Sequence, residues 1–320
     1  MLPRVARLWS DGPDRRFLRW GHVIRPIPMP GQPLLVHSRS MDPVIVRLRD
    51  LPMPDVVRSI KANWVEFYGA LGRAPGAELS VGQHLSWMLT GIPDAFLNVV
   101  FRTDLPPDRA EEVVDEALSH FRARRITKLS WLTPGEDAGR LLVDRGLTFS
   151  EGVTGMAADL AVVPHSLPTP TGLSIVPVQD RASLRPWIRV MRVGFRTPEH
   201  AEPALLDVFA AILAVPQLRT YLALMDGRPV ATSQLFLAAG VAGIYNVTCL
   251  PEARGQGIGA AVTLAPLSEA RRRGYRMAIL QASDLGYPVY RRLGFRDYGR
   301  LNEYLIDLPG EREPRGTSSP

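Results

Sequence analysis

The chain has 320 residues, a length that favours two domains over one. Its hydrophobic fraction of 46% is ample for packed cores, and no apolar run reaches the roughly 18 residues of a membrane span. The formal net charge is +6, but nearly all the basic residues are arginine, and the densest runs fall late in predicted helices. Cations complement the helix dipole there. We therefore expect no membrane partner and no nucleic-acid partner.

The first 40 residues are rich in proline and arginine without a sustained period, which predicts a poorly ordered arm. Met41 could be the true start. The arm lacks the continuous apolar segment of a secretion signal, so a cytoplasmic protein is expected.

Cys249 is the only cysteine, which excludes an internal disulfide and a cysteine-based metal cage. No metal site is predicted. The last residues, 309–320, predict a disordered tail.

The ordered part divides at a proline-rich connector. We predict a first domain at residues 41–163, a linker at 164–172 and a second domain at 173–308.

The two predicted domains resemble each other. A shift of 148 places residues 96–160 on residues 244–308 without a gap, and Asn98 and Gly146 are among the residues that meet identical partners. In both stretches a strand precedes a helix ending in arginines. A short apolar strand, a second helix closed by glycine and a last strand follow. This order indicates an ancient duplication.

Three glycines at alternate positions mark a turn in the second half. Gly255, Gly257 and Gly259 follow Arg254 between an apolar predicted strand (IYNVTCL) and an alanine-rich predicted helix. Glycine is unfavourable inside regular structure, so we expect a close approach of this backbone to a ligand. Free N–H groups at the positive end of a helix suit phosphate. Pro266 predicts a kink in the helix.

Several explanations of this turn compete. A P-loop needs a Lys-Ser/Thr pair after its last glycine, and Ile258 and Ala260 stand nearby instead. A dinucleotide-binding pattern (G-x-G-x-x-G/A) fits residues 255–260, but too few residues remain for the βαβ series that it needs. A turn whose glycines serve only packing stays open.

A third phosphate-binding explanation rests on two sequence elements in the second half. One reads Arg254-Gly255-Gln256-Gly257-Ile258-Gly259, and the other has Tyr290 followed by Leu293-Gly294-Phe295. Both elements resemble motifs of the GNAT superfamily of acyl-CoA-dependent N-acetyltransferases. The first resembles the family's pyrophosphate-binding signature, Arg/Gln-x-x-Gly-x-Gly/Ala. The second resembles the family's tyrosine before a Leu-Gly-Phe turn.

The resemblance covers residues 173–308, and the first half resembles a degenerate copy, so that the whole is similar to tandem GNAT proteins. It implies an α/β (α+β) fold of two tandem domains. Each would have a mixed, mostly antiparallel central sheet flanked by helices.

The resemblance also implies a function: direct transfer of an acetyl group from acetyl-CoA to an amine of a small molecule or protein, through a ternary complex. Tyr290 would be the general acid that protonates the CoA thiolate, and Ser283 would contact the coenzyme or cap a helix. The other implied coenzyme-binding residues are Val247, Thr248, Cys249, Leu250, Arg254, Gly255, Gln256, Gly257, Ile258, Gly259 and Ala260.

A general base is harder to assign. The strand before the turn contains no carboxylate, and Glu252 in the turn is expected to be solvated. Glu303 and Asp307 share one face of the last strand, since strand side chains alternate. Asp159 repeats Asp307 in the first half, which favours a structural role. Glu303 is matched by Gly155 and is therefore the candidate base.

The first half is predicted to lack the activity. Under the 148-residue shift, residues 254–260 fall on residues 106–112, which contain two prolines, three carboxylates and no glycine. Tyr290 falls on Leu142. We expect this half to be structural or to shape the acceptor site.

The acceptor is expected against the first helices of the second half, where Phe195, Glu199, His200 and Glu202 are candidates. The alternative function is a non-catalytic acyl-CoA-binding sensor or scaffold.

Overall fold

The computed structural model describes residues 48–134 and 136–307. The predicted arm, Met41 and the predicted tail lie outside the described residues. None of the helices in the described ranges has both the length and the apolar character that crossing a membrane requires.

The first half runs from a short 3-10 turn to a long strand. Its elements are a 3-10 turn at Leu48–Asp50, α1 (Met53–Leu71), β1 (Glu78–Val81), β2 (Leu85–Leu89), a 3-10 turn at Ala95–Leu97, β3 (Asn98–Thr103), α2 (Ala110–Ala123), β4 (Lys128–Thr133), α3 (Glu136–Asp144) and β5 (Thr148–Asp159).

The second half ends in a strand of the same length. Its elements are β6 (Leu173–Val178), α4 (Arg181–Gly194), a 3-10 turn at Glu199–Ala201, α5 (Glu202–Ile212), β7 (Leu218–Met225), β8 (Arg228–Ala238), β9 (Val241–Cys249), a 3-10 turn at Pro251–Ala253, α6 (Ile258–Arg272), β10 (Met277–Ala282), α7 (Tyr287–Arg292) and β11 (Arg296–Asp307).

All these strands belong to one sheet, in the order β1-β2-β3-β4-β11-β5-β10-β9-β8-β7-β6. Only β3 with β4 and β9 with β10 pair in parallel; the other pairs are antiparallel. The fold class is therefore the predicted one, a mixed and mostly antiparallel sheet flanked by helices.

The two halves exchange their last strands. β11 lies beside β4 of the first half, and β5 lies beside β10 of the second half. The two exchanged strands pair with each other at the centre of the sheet. The predicted domains were expected to hold a sheet each, whereas the structure joins both into one, because each last strand completes the sheet of the other half.

Element positions repeat along the chain. Adding 148 to the bounds of β5 gives those of β11, and the first residue of α2 becomes the first residue of α6. The predicted order of strand, helix, short strand, helix and last strand is present in both halves. Sequence resemblance and element positions thus agree on the same shift.

Helices cover both faces of the sheet. The largest core cluster lies under α1, α4 and α5, and includes Phe67, Trp187 and Phe209. The other clusters lie under α2 and α3 in the first half and under α6 and α7 in the second. We call these the α1 face and the α6 face.

Candidate functional site

The glycine turn is an exposed loop anchored at both ends by buried side chains. Ala253 and Ile258 are 5% and 1% exposed and pack in the core between α6 and the sheet, while residues 254–257 are exposed. Gly255 and Gly257 have φ values of +76° and +81°, which L side chains rarely adopt. No atom lies within 4 Å of a Cβ built at either position. Open space therefore lies beside the turn.

The backbone of this turn offers unpaired donors. Gly257 is the N-cap of α6 and has no side chain to bond the first helical N–H groups. Within the described residues, the N–H groups of residues 255–260 have no protein acceptor, and pairing resumes at Ala261, which donates to the Gly257 carbonyl. These donors at the positive end of a helix suit an anion such as pyrophosphate.

Side chains around the turn hold its conformation. Arg254 Nε donates to the Cys249 carbonyl oxygen at 3.3 Å, and Gln256 Nε2 donates to the Glu252 carbonyl oxygen at 3.2 Å. The Arg254 guanidinium thus stays beside the end of β9 and adds positive charge to the site. Glu252 is exposed, as expected of a solvated carboxylate.

β9 and β10 separate in front of the turn. They pair only at Ala242 with Ala278 and at Gly243 with Ile279, so the later part of β9 has no partner strand on its β10 side. The predicted pantetheine-binding residues 247–249 lie in this later part, and Leu250 follows directly after the strand. An extended ligand arm could bond to backbone groups there.

β9 has a bulge at Asn246, close to the point where β9 and β10 separate. Asn246 has a φ of +50°, and the register with β8 shifts between Thr232 and Gln234. Thr232 Oγ1 donates to the Asn246 carbonyl oxygen at 2.8 Å, and Asn246 Nδ2 donates to Gln234 Oε1 at 2.6 Å. Asparagine tolerates the left-handed region better than most residues. No sequence pattern predicts this bulge; the tolerance of asparagine for positive φ is the one signal that points to it.

Tyr290 and Cys249 are neighbours on the α6 face. Tyr290 is only 7% exposed, and burial raises its pKa well above the usual value, with a further contribution from Cys249. Burial also raises the pKa of the Cys249 thiol to about 11, although Arg254 opposes the rise. Cys249 Sγ lies 3.6 Å from a Cβ built at Gly259. The structure therefore brings together the tyrosine, the end of β9 and the start of α6, with both acids protonated at neutral pH.

Ser283 lies just before α7 and bonds to its first turn. Its carbonyl oxygen accepts from the N–H groups of Gly286 and Tyr287, and its Oγ accepts from the Gly286 N–H at 3.4 Å. The N-cap of α7 is Gly286, so Ser283 lies in the turn before the helix, and its contact with the coenzyme stays a prediction.

Glu303 has its contacts on the other half. Its Oε1 accepts from Ser130 Oγ at 2.5 Å, across the β11–β4 pair. Burial raises its pKa, Ser130 and Ser150 oppose the rise, and Glu151 adds to it. None of its described contacts involves Tyr290 or the glycine turn, so its role as a base stays a prediction.

The candidate acceptor residues differ in their surroundings. Glu202 accepts from Arg189 Nε at 3.1 Å and lies 3.5 Å from Arg192 Nε, so its carboxylate is paired with two arginines. Phe195 is 42% exposed, and its ring lies 5.6 Å from that of Phe96 in the first half. Glu199 and His200 are exposed.

The end of α4 lies directly on β9. A Cβ at Gly194 would overlap the side chain of Thr248. Since Thr248 faces α4 while Cys249 packs under α6, the opening between β9 and β10 is bordered on both faces of the sheet.

Three comparisons bear on this site. Residues 184–295 match the family model "Acetyltransferase (GNAT) family". A search of curated proteins found no match to the chain.

The fold is similar to several solved structures. A GCN5-related N-acetyltransferase from Kribbella flavida is 21% identical, with a TM-score of 0.55, over 76% of this chain and 95% of that one. A functionally unknown conserved protein from Staphylococcus epidermidis is 14% identical, with a TM-score of 0.58, over 74% and 96%. A tandem GNAT protein from the clavulanic acid biosynthesis pathway is 16% identical, with a TM-score of 0.54, over 78% and 89%.

The glycine turn, the separated strands and the family match together define an acyl-CoA-dependent acyltransferase. The second half contains the acetyltransferase (GNAT) family domain, at residues 184–295.

Proposed function

We propose that the second half transfers an acetyl group from acetyl-CoA directly to an amine within a ternary complex. The observation that carries this proposal is the meeting of the glycine turn, the end of β9 and the protonated Tyr290 where β9 and β10 separate. The turn would bind the pyrophosphate through the N–H groups of residues 255–260 and Arg254. β9 would bind the pantetheine arm at residues 247–250.

In the chemical step the amine nitrogen attacks the thioester carbon, forming a C–N bond as the C–S bond breaks. Tyr290 gives its proton to the departing sulfur. Its raised pKa keeps the phenol protonated at neutral pH, as a proton donor must be. A thiol with a pKa near 8.5 is the stronger acid, so this transfer is uphill, and the proton that the amine releases must restore the phenol. The buried Cys249 thiol, also protonated, is a poor nucleophile. Direct transfer is therefore favoured over an acyl-cysteine route.

The amine must lose a proton before or during attack. An amine with an ordinary pKa near 10.4 is neutral in only about 1 in 2,500 molecules at pH 7, a cost of about 4.6 kcal/mol. Glu303 stays the proposed base. Burial raises the pKa of its carboxyl from the ordinary value in the direction of neutral pH, which makes the carboxylate a stronger base.

We propose that the first half is a degenerate copy that no longer binds coenzyme. At the start of α2, Arg109 forms two hydrogen bonds to Glu112 where the second half has its glycine turn. Thr103 Oγ1 donates to the Leu132 carbonyl oxygen at 2.7 Å and bridges the ends of β3 and β4. At the corresponding position of the second half, β9 and β10 separate, and no side-chain hydrogen bond among the described residues joins their ends. Proposed domain limits remain residues 41–163 and 173–308.

Initial-velocity kinetics test the central proposal. Release of free CoA from acetyl-CoA is measured against a panel of small amines and amino-terminal peptides while both substrates are varied. Intersecting double-reciprocal lines are expected for a ternary complex. Parallel lines would indicate an acyl-enzyme, and coenzyme binding without amine-dependent release would indicate a sensor or scaffold.

A further inference from the structure

Two buried hydrogen-bond donors lie unpaired on the α1 face of the sheet. The indole Nε1 of Trp64 in α1 and the amide Nε2 of Gln281 in β10 are closed to solvent and have no acceptor among the described residues. Burying an unpaired donor costs free energy, so two such donors on one face need an explanation. Two other buried side-chain atoms lack a hydrogen-bond partner among the described residues. Ser86 Oγ is in β2, and Arg192 Nε lies in the ion pair with Glu202.

The two donors come from different halves of the chain, and Tyr245 relates their positions. The Trp64 ring centroid lies 6.3 Å from that of Tyr245 in β9. The last β9–β10 pair is Gly243 with Ile279, and the same register brings Gln281 level with Tyr245, where the strands separate. Strand side chains alternate, so Gln281 shares the face of Ile279, which packs in the core beneath α1.

This place lies across the sheet from the transfer chemistry. Cys249 and Tyr290 belong to the α6 face, whereas Trp64 in α1 and Gln281, which shares the face of Ile279, belong to the α1 face. A molecule held by the two donors would therefore approach the opening from the side opposite α6.

The chemistry of the donors restricts what they bind. Indole and amide N–H groups are neutral and need an oxygen acceptor, and one carbonyl oxygen has two lone pairs, enough for both. The Glu303 carboxylate lies on the same side, near Tyr68, which disfavours an anionic oxygen. An uncharged carbonyl fits best.

We propose that Trp64 and Gln281 bind the carbonyl oxygen of an acceptor that is an α-amino amide, the group shared by amino-acid amides and the first residue of a peptide. The proposal rests on the proposed acetyl transfer to an amine. It gives the first half a part in acceptor selection, because Trp64 belongs to α1. Both side chains are themselves partly exposed, so a change of rotamer can turn each donor towards a ligand.

A pair of matched amines tests the proposal. L-alaninamide carries the carbonyl, and (S)-3-methyl-2-butanamine has the same branching and number of heavy atoms without oxygen. Transfer of acetyl to both is measured as kcat/KM in the wild type, Trp64→Phe and Gln281→Met. The ratio of the two values is expected to fall about tenfold in each variant, because each loses one donor and keeps most of its volume. The different pKa values of the two amines cancel when the ratio is compared between variants.

Two controls keep the outcome clear. Trp87→Phe removes an indole donor that bonds Glu78 far from the opening and is expected to leave the ratio unchanged. Binding of L-alaninamide in the presence of CoA, followed by thermal shift, is expected in the wild type and weakened in Trp64→Phe and Gln281→Met.

Amide binding and a substrate ratio that are the same in the wild type and both variants would overturn the assignment while leaving acetyl transfer intact. If the wild type transfers acetyl to no amine and binds no amide, the proposed function fails together with this inference.

Discussion

Ser233 Oγ, on β8, donates a 2.7 Å hydrogen bond to the carbonyl oxygen of Val262 in α6. That carbonyl would ordinarily accept from the residue four positions later, but Pro266 has no N–H to give. Both Ser233 and Val262 are fully buried. A side chain of the sheet therefore completes the helix that presents the glycine turn, and α6 continues through the proline from Ile258 to Arg272.

We expect Ser233→Ala to destabilise the protein by about 1–3 kcal/mol, since it leaves a buried carbonyl without a donor. Chemical denaturation measures the free energy of unfolding. In a Pro266→Ala background the restored N–H can bond to Val262, and the effect of Ser233→Ala should shrink. An equal effect in both backgrounds would contradict this explanation.

Tyr290→Phe is expected to lower turnover strongly while acetyl-CoA binding persists, because the ring keeps its packing and loses only the proton. Since burial raises the phenol pKa above its ordinary value of 10, Tyr290 should stay protonated across the neutral and mildly alkaline range. Wild-type kcat should therefore show no fall caused by this group below about pH 10. Unchanged kcat in the variant would remove Tyr290 from the general-acid role.

The two halves are expected to unfold together. Asn63 Nδ2 in α1 donates to the carbonyl oxygens of Phe236, Ala238 and Val241, and Asn63 Oδ1 accepts from Tyr245 Oη at 2.7 Å. Asn63→Ala leaves these buried groups unpaired and should cost about 1–3 kcal/mol or more.

Denaturation followed by both fluorescence and circular dichroism should give one coincident transition for the wild type. Tyr245→Phe removes a single partner of Asn63 and should cost less than Asn63→Ala. Two separate transitions in the wild type would mean that the shared sheet does not couple the halves.

The stability contribution of Glu303 should depend on pH. Because its pKa is higher in the folded protein than its ordinary value, the folded state holds the proton more tightly than the unfolded state. Its favourable contribution is then complete below the unfolded pKa near 4.5 and is lost as the pH rises through the folded pKa.

Glu303→Gln keeps a neutral group beside Ser130 at every pH. The variant should therefore gain stability over the wild type as the pH rises from about 4 to 7, measured by melting temperature across that range. A difference in melting temperature that does not change with pH would show that Glu303 titrates normally.

The sequence predicted the local elements well because their signals are local. The glycine turn, the helix after it and the Tyr290 segment depend on neighbouring residues, and each lies where the pattern indicated. The strand exchange was not predictable in this way. Whether β11 pairs with β10 or with β4 depends on contacts between residues far apart in the chain, and the alternation of side chains along β11 is the same in either arrangement.

The site was predicted unevenly for a similar reason. Residues that act through their backbone, such as Gly257, follow from the local pattern. The surroundings of Glu303 and Gln281 do not, since they are set by α1 and by the exchanged strands. Ser233 could have been suspected only by asking which side chain compensates for Pro266.

A thermal shift with acetyl-CoA tests most directly whether the glycine turn binds the coenzyme. Ligand at 100 times its Kd should stabilise the wild type by about 2.7 kcal/mol, a rise of several degrees. Gly257→Glu should abolish the shift by placing a carboxylate where the pyrophosphate would bind.

The matched control is Gly76→Glu. Gly76 has a φ of +80° against +81° for Gly257, and neither has an atom within 4 Å of a built Cβ. Gly76→Glu thus introduces the same backbone strain and the same charge in the first half, and the thermal shift with acetyl-CoA should persist in this variant. A shift that survives in folded Gly257→Glu, or is absent from the wild type, would contradict coenzyme binding at this turn.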